Sequence, residues 1–209
     1  MTKSSPDTIA LYSIDERPFG KTWEEWTTKW WRWFLSIPDG NNPVHDKSGE
    51  KSTIDQTDAD VWFLAGTIGG TAERTIVVPA GKALLFPVIN VTTSYSENPI
   101  LKTEEELMSF AKSHIEDIVK KEASIDGVEL VISESHRVQS PPFDFSFPDD
   151  NIYGAPGGYT RGVGDGYWLF VKPLSRGKHN IRTFGSCMSG RVQIGVSVDL
   201  VVEESLQGS

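Results

Sequence analysis

The chain has 209 residues, with 20 Lys and Arg against 29 Asp and Glu, so its formal net charge is -9. The basic residues are scattered and form no stripe that could follow a phosphate backbone, so we expect no nucleic-acid partner. No apolar run approaches the roughly 20 residues that span a bilayer, and we expect no membrane partner. The single cysteine and the lack of an apolar leader favour a cytoplasmic location.

The composition predicts a folded chain with a sizeable core. Hydrophobic residues make up 38% of the sequence, which includes 10 Phe and 7 Trp. Sandwiches of this length often stay undivided, so we expect residues 1–209 to form a single domain. Residues 1–20 are polar and predict an N-terminal arm, and residues 205–209 predict a frayed tail.

An aromatic helix is the first predicted element. Thr22 and Glu25 form a capping-box pattern, and Pro38 stops the helix. Between them the apolar residues recur at helical spacing, at Trp23, Trp26, Trp30, Trp33, Phe34 and Ile37. Such a stripe is typical of a helix that packs on a sheet. Trp31 lies off the stripe, so we expect it to be exposed.

A second amphipathic helix is predicted after residue 103. Thr103 and Glu106 repeat the capping-box pattern. The apolar stripe that follows extends to Val119 and includes His114, which we interpret as a packed core residue.

Short apolar runs separated by Gly, Pro and Asn predict about eight strands. Three of them lie between residues 61 and 89 and are joined by short turns, whereas the stretches 40–59 and 151–164 are predicted as loops. Strands and helices do not alternate, so a parallel sheet is not expected. We therefore predict a mainly β (α+β) fold, an antiparallel two-sheet β-sandwich of jelly-roll-like or immunoglobulin-like kind, with two amphipathic helices.

A resemblance to a known family is carried by VWFLAG at 61–66, VPAGKALLFPVIN at 78–90, and the segment from Asp165 through Trp168 to His179. These segments resemble a family of uncharacterised proteins from soil bacteria and archaea. The similarity extends from the Trp-rich helix to the last strand. It implies a single-domain fold and supplies no activity, cofactor or site residue.

One candidate metal site combines His and Glu residues. Glu134 and His136 stand two apart in a predicted strand, so they would share a face and could bind one ion. His45 is the candidate third ligand. A divalent metal such as zinc is therefore one candidate cofactor. No HxH, HExxH or CxxC motif completes the site. A solvent-facing strand that binds no metal could carry the same two residues.

A polar cluster follows the third predicted strand, from Asn90 to Glu97, and pocket rims are often built from such strand ends. Arg74 begins an apolar strand, where a guanidinium needs a carboxylate partner, and Glu97, Asp46 and Asp165 are candidates. We expect these residues to converge on a pocket with the loop that holds Asp46 and Gln56. A structural ion pair beside a hydroxyl-rich loop is the equally weighted alternative.

Two functions remain open, and the sequence does not decide whether the protein is an enzyme. The first is a β-sandwich that binds a small polar molecule or a glycan through Trp31, Trp62, Asn90, Tyr95, Asp46, Gln56 and Asp165. The second is a hydrolase of small esters or lactones, in which Glu97 or His136 is the general base and Arg74 or a divalent metal stabilises the oxyanion. A homo-oligomer is also left open.

Overall fold

The structure, a computed structural model, describes residues 9–204. The start of the predicted arm, 1–8, and the predicted tail, 205–209, lie outside the described residues. The helices are α1 (Trp23–Ser36) and α2 (Glu104–Glu116). The strands are β1 (Val61–Phe63), β2 (Gly70–Pro79), β3 (Ala83–Ser94), β4 (Ile118–Ile125), β5 (Val128–Leu130), β6 (Arg137–Gln139), β7 (Phe143–Phe147), β8 (Gly158–Val171), β9 (Gly177–Cys187) and β10 (Val192–Glu203). Neither helix of this part of the chain is long and apolar enough to cross a membrane.

Two sheets form the predicted sandwich, and the mainly β fold class is confirmed. Sheet 1 has the order β1-β3-β8-β6, and β7 pairs with another part of β8; sheet 2 has the order β2-β10-β9-β4-β5. The prediction of wholly antiparallel sheets needs correction, because β1 with β3 and β2 with β10 are parallel. The chain passes from β1 to β2 in sheet 2 and then returns to sheet 1 as β3. Strands β1 and β3 therefore run parallel instead of forming a hairpin.

Apolar side chains fill two layers, one on each face of sheet 1. Between the sheets, Phe86 and Leu169 pack against residues of sheet 2 such as Leu200. On the outer face, Trp168 and Phe170 pack against the tryptophans of α1. Strands β3 and β8 are therefore covered on both faces, which explains their nearly continuous apolar sequence.

Helix α1 begins as predicted and is tied to its surroundings by its tryptophans. The Thr22 hydroxyl accepts from the Glu25 N–H at 3.2 Å, and the Glu25 carboxylate accepts from the Thr22 N–H at 2.7 Å. Four indole N–H groups donate to backbone carbonyl oxygens at 2.8 to 3.0 Å, joining Trp23 to Ser13, Trp26 to Pro18, Trp30 to Leu64 and Trp33 to Ile54. The arm and two loops are thereby held against the helix.

The expected exposure of Trp31 is wrong, since only 2% of its surface is exposed. We expected only the face of the helix with the apolar stripe to be covered. Here sheet 1 and the surrounding loops cover more of α1, and the Trp31 indole lies directly over Gly164 of β8.

The second helix is shorter than predicted. It ends at Glu116, and Val119 belongs to β4. His114 is exposed rather than packed, with Nδ1 2.8 Å from the Phe110 carbonyl oxygen. Leu107, Ala111 and Ile115 are the buried residues of α2, so its packed face is narrow, and the position of His114 falls outside it.

Strand β8 begins at Gly158, inside the predicted loop 151–164. Gly162 and Gly164 fall inside that predicted loop, and Gly166 follows it. In the structure they lie within β8, where neighbouring side chains and backbone occupy the space that a Cβ would need. Glycine here marks close packing across the sheet rather than the end of a strand.

We expect Trp26→Ala to lower the free energy of unfolding by about 3–5 kcal/mol, because a fully buried indole and its hydrogen bond to Pro18 are lost. Urea melts followed by circular dichroism measure this change. Tyr159→Ala, at a side chain that is mostly exposed, is the control and should change stability by roughly 0.5 kcal/mol or less. Equal losses in the two variants would contradict the packing described for α1.

Candidate functional site

A cavity of about 200 Å³ lies between α1 and β3, beyond the end of β1, the edge strand of sheet 1. β1 pairs only with residues 83–85 of β3, so the edge of β3 beyond them is bordered by the loop Gly66–Ile68. Helix α1 contributes Trp30, Trp31 and Phe34, β3 contributes residues 89–92, and Tyr153 also lines the space. We call this space the α1–β3 cavity.

A row of polar side chains runs along β3 beside this cavity. Asn90, Thr92 and Ser94 occupy alternate positions and therefore share one face of the strand. We call them the polar row. Their cross-strand partners in β8 are Gly166, Gly164 and Gly162, which we call the glycine row. Because these glycines have no side chains, neighbouring groups pack closely against β8 next to the polar row.

The glycine row is required by close packing. A Cβ on Gly164 would overlap the Trp31 indole at Nε1, and a Cβ on Gly166 would lie 2.5 Å from the Asn90 Cβ. Real Cβ atoms do not approach other atoms this closely. The Trp31 indole can therefore lie against β8 at this position only because residue 164 has no side chain.

Three buried polar atoms in this region lack a hydrogen-bond partner within the described residues: Trp31 Nε1, Asn90 Nδ2 and Thr92 Oγ1. All three residues line the α1–β3 cavity. Leaving a buried polar group unpaired costs about 1–3 kcal/mol, so native proteins keep few of them. Three of the six such atoms in the described residues belong to side chains around this one cavity, whereas those of Thr28, Trp62 and Trp168 do not. The three at the cavity are candidate partners for a bound molecule.

Tyr153 has a buried hydroxyl, although the residue as a whole is 40% exposed. Burial raises the pKa of this phenol, nearby Glu97 raises it further, and Thr92 opposes the shift. The Tyr153 and Thr92 hydroxyls lie near each other but do not meet hydrogen-bond geometry. The loop is held by Asn151, whose Nδ2 donates to the carbonyl oxygens of Pro148 at 3.0 Å and Ala155 at 2.8 Å. Tyr153 therefore stands in a defined position at the cavity.

Glu97 lies at the end of the polar row. Its carboxylate accepts a hydrogen bond from the Ser94 hydroxyl at 2.7 Å. Burial raises the pKa of Glu97 to about 7, and the bond from Ser94 partly opposes this shift. Glu97 does not itself line the cavity. It is a carboxyl group that can exchange a proton near neutral pH, next to the buried Tyr153 hydroxyl.

Arg74 is bound differently from our expectation. Its guanidinium, in a residue only 5% exposed, donates to three carbonyl oxygens rather than to a carboxylate: those of Asp46 at 2.7 Å, Ala65 at 2.5 Å and Gly66 at 3.1 Å. Burial lowers the pKa of Arg74, and the charge of Asp46 opposes this. Because these bonds occupy the guanidinium, Arg74 positions the Gly66 wall of the cavity and is not free to stabilise an oxyanion.

The Asp46 carboxylate stabilises its own loop. It accepts from the backbone N–H groups of Ser48 at 2.9 Å, Gly49 at 3.0 Å and Lys51 at 2.8 Å. Burial alone would raise the pKa of Asp46, but these bonds outweigh it and the pKa lies below its usual value. These bonds hold the loop in place, including the Asp46 carbonyl oxygen that accepts a hydrogen bond from Arg74.

The other predicted ligand-binding residues lie outside the cavity. Asp165 is fully buried and pairs with Arg137 at 2.8 Å. Gln56 bonds the backbone of Phe63, and Trp62 packs between the sheets. Tyr95 packs near α2. The expected convergence is therefore partial: of the predicted ligand-binding residues, Trp31 and Asn90 line the cavity, and Arg74 with Asp46 supports its wall.

The predicted metal ligands do not come together. Glu134 and His136 lie in a short 3-10 helix, not on a strand, so their two-residue spacing does not place them on one strand face. Glu134 accepts from the Tyr167 hydroxyl at 2.6 Å, and His45 lies 2.7 Å from Asp39. Across residues 9–204, no three His, Cys, Asp or Glu side chains are grouped to hold a metal ion.

Wider depressions occur on sheet 2 but lack comparable chemistry. One of about 400 Å³ lies over Phe184 and Arg182, and another of about 490 Å³ lies beside His179. None of the unpartnered buried atoms found in the described residues lines either depression. The α1–β3 cavity is therefore the better candidate site.

The Glu97 shift predicts a pH dependence of stability. With a pKa raised from 4.5 to about 7, the folded protein keeps a proton that the unfolded chain loses, so stability falls as the pH rises through this window. Glu97→Gln removes this loss. Relative to wild type, the variant should gain about 2–3 kcal/mol between about pH 5 and pH 8 in urea melts. Glu50→Gln, at an exposed loop position, should show no such gain. A pH-independent difference for Glu97→Gln would contradict the buried carboxyl.

Comparisons with known proteins do not assign the chain. No protein-family model and no curated protein matches it. Among solved structures, PbICP-C in complex with falcipain-2 is similar with a TM-score of 0.28 and 12% identity, over 68% of this chain and 98% of that chain. The cysteine protease inhibitor EhICP2 from Entamoeba histolytica has a TM-score of 0.25 and 13% identity, over 69% of this chain and 96% of its own. Similarities at this level assign neither a family nor a function.

Proposed function

We propose that the protein binds a small polar molecule in the α1–β3 cavity. The observation that carries the proposal is that Trp31 Nε1, Asn90 Nδ2 and Thr92 Oγ1 are buried, lack protein partners and line the same space. Apolar walls with a few polar anchors are the usual composition of a ligand site. A ligand that supplies hydrogen bonds to these atoms would remove the cost of leaving them unpaired.

The size of the cavity limits the ligand. A volume of about 200 Å³ corresponds to roughly seven water molecules. Drug-sized sites hold about 300–1000 Å³, so this one suits a molecule of roughly ten non-hydrogen atoms or fewer. Of the two ligand classes predicted from the sequence, the small polar molecule fits this volume, whereas a glycan chain does not.

Hydrolysis of a small ester or lactone is the second candidate, favoured by the near-neutral pKa of Glu97 at the end of the polar row. The other two predicted catalytic residues give it no support. Arg74 is bound to carbonyl oxygens, and His136 is partly exposed beside Ser133. Turnover of a bound lactone that Glu97→Gln abolishes is the signature of this activity.

A pair of neighbouring threonines tests whether the site is built for a ligand. Thr92 Oγ1 has no protein partner, whereas Thr93 Oγ1 accepts from Asn98 Nδ2 at 2.8 Å. We expect Thr92→Val to leave the free energy of unfolding unchanged or to raise it by up to about 1 kcal/mol. The matched variant Thr93→Val should lower it by about 1–2 kcal/mol.

Binding is then measured with a library of small uncharged molecules by ligand-observed NMR. Compounds that bind the wild type should bind Thr92→Val at least about fivefold more weakly, a loss close to one hydrogen bond. Thr75→Val, an exposed change on β2, should not affect them. A Thr92→Val variant that is destabilised like Thr93→Val, or that keeps full affinity for every binder, would oppose the proposal.

A further inference from the structure

Resting on the proposed function, we propose that the ligand of the α1–β3 cavity is an uncharged carbonyl compound, such as a lactone or cyclic ketone. Its oxygen would accept hydrogen bonds from donors among Trp31, Asn90 and Thr92, and its carbon skeleton would occupy the apolar part of the cavity. Charge, hydrogen-bond direction and the placement of the donors each support this assignment.

Charge is the first argument. No charged side chain lines the cavity. The Glu97 carboxyl does not line the cavity and is already hydrogen-bonded to Ser94. An ionised ligand would give up water contacts without gaining a counter-charge, which is unfavourable. The ligand is therefore uncharged when bound.

Hydrogen-bond direction is the second argument. An indole N–H and an amide NH₂ can only donate, so Trp31 and Asn90 both require an acceptor. A carbonyl oxygen accepts through two lone pairs and brings no hydrogen of its own. A hydroxyl or amine on the ligand could donate to an acceptor such as the Thr92 hydroxyl, but the Trp31 N–H and the Asn90 NH₂ can be paired only by an acceptor. An acceptor-only oxygen matches the site better.

The placement of the donors is the third argument. The Trp31 Nε1 atom lies against Gly164, which is the cross-strand partner of Thr92. Residues paired across antiparallel strands have Cα atoms about 4.5–5.5 Å apart, and Asn90 is two residues along the same strand, about 7 Å from Thr92. The three donors thus lie within reach of one small molecule.

The carbon skeleton has an apolar surface to contact. Apolar side chains that line the cavity include Phe34, Val44, Ile68 and Ile194, and Cys187 lines it as well. A ring of six atoms with one carbonyl group would fill this space and direct its oxygen toward the polar row. The expected ligand is therefore polar at one end only.

Isothermal titration of the full chain with matched ring compounds tests the inference. Cyclohexanone and δ-valerolactone carry the carbonyl, and the controls are methylcyclohexane, cyclohexanol, cyclohexylammonium and cyclohexanecarboxylate. We expect the two carbonyl compounds to bind about tenfold or more tightly than every control. In Thr92→Val and Asn90→Leu, checked for folding by thermal melts, the carbonyl compounds should fall to the affinity of methylcyclohexane, which itself should not change.

The outcomes separate the inference from the proposed function. If cyclohexanol or a charged ring binds more tightly than the carbonyl compounds and Thr92→Val weakens it, the cavity is a binding site but the carbonyl assignment is wrong. If no ring compound binds, or if binding is unchanged in Thr92→Val, both the inference and the proposed function are overturned. Thr92→Val keeps the side-chain shape, so the test does not depend on Asn90→Leu folding.

Discussion

The packing of the tryptophan-rich helix α1 on the outer face of sheet 1 is the constraint on which the rest of the structure depends. Buried indole N–H groups need acceptors, and those of Trp23, Trp26, Trp30 and Trp33 find them in carbonyl oxygens of the arm and of two loops. The helix thereby fixes segments that have little regular structure of their own. Trp31 alone among the tryptophans of α1 has no such acceptor, and its N–H lies in the cavity wall.

The candidate site follows from this packing together with the glycine row. Gly164 admits the Trp31 indole onto β8, and the same indole then stands beside Thr92 and the rest of the polar row. Polar atoms kept without partners in a dry setting reduce the stability of the fold, and natural proteins accept such losses mainly at functional sites. Arg74 contributes indirectly, because it fixes the carbonyl oxygen of Gly66 and so the wall opposite the helix.

Local patterns predicted much of this structure, and tertiary contacts decided the rest. The capping box at Thr22 and the polar segment from Asn90 could be predicted, because each depends only on residues close together in the sequence. The burial of Trp31 could not be predicted, since it depends on contacts with β8 and with loops that are distant in the sequence. Gly164 contributed to the wrong prediction of a loop, because glycine, which often ends strands, also permits close packing within a strand. Its two-residue spacing from the flanking glycines is a signal that could have identified β8, whereas nothing local marks Tyr153.

The indole resonances of the protein in ¹H–¹⁵N spectra test the central claim most directly. The seven tryptophans give one indole N–H signal each, and Trp31→Phe identifies that of Trp31. On saturation with a carbonyl ligand, the Trp31 signal should move downfield as its N–H gains an acceptor, while those of Trp23, Trp26 and Trp33, already bonded to carbonyl oxygens, stay in place. A saturating ligand that leaves the Trp31 signal unmoved would contradict the account.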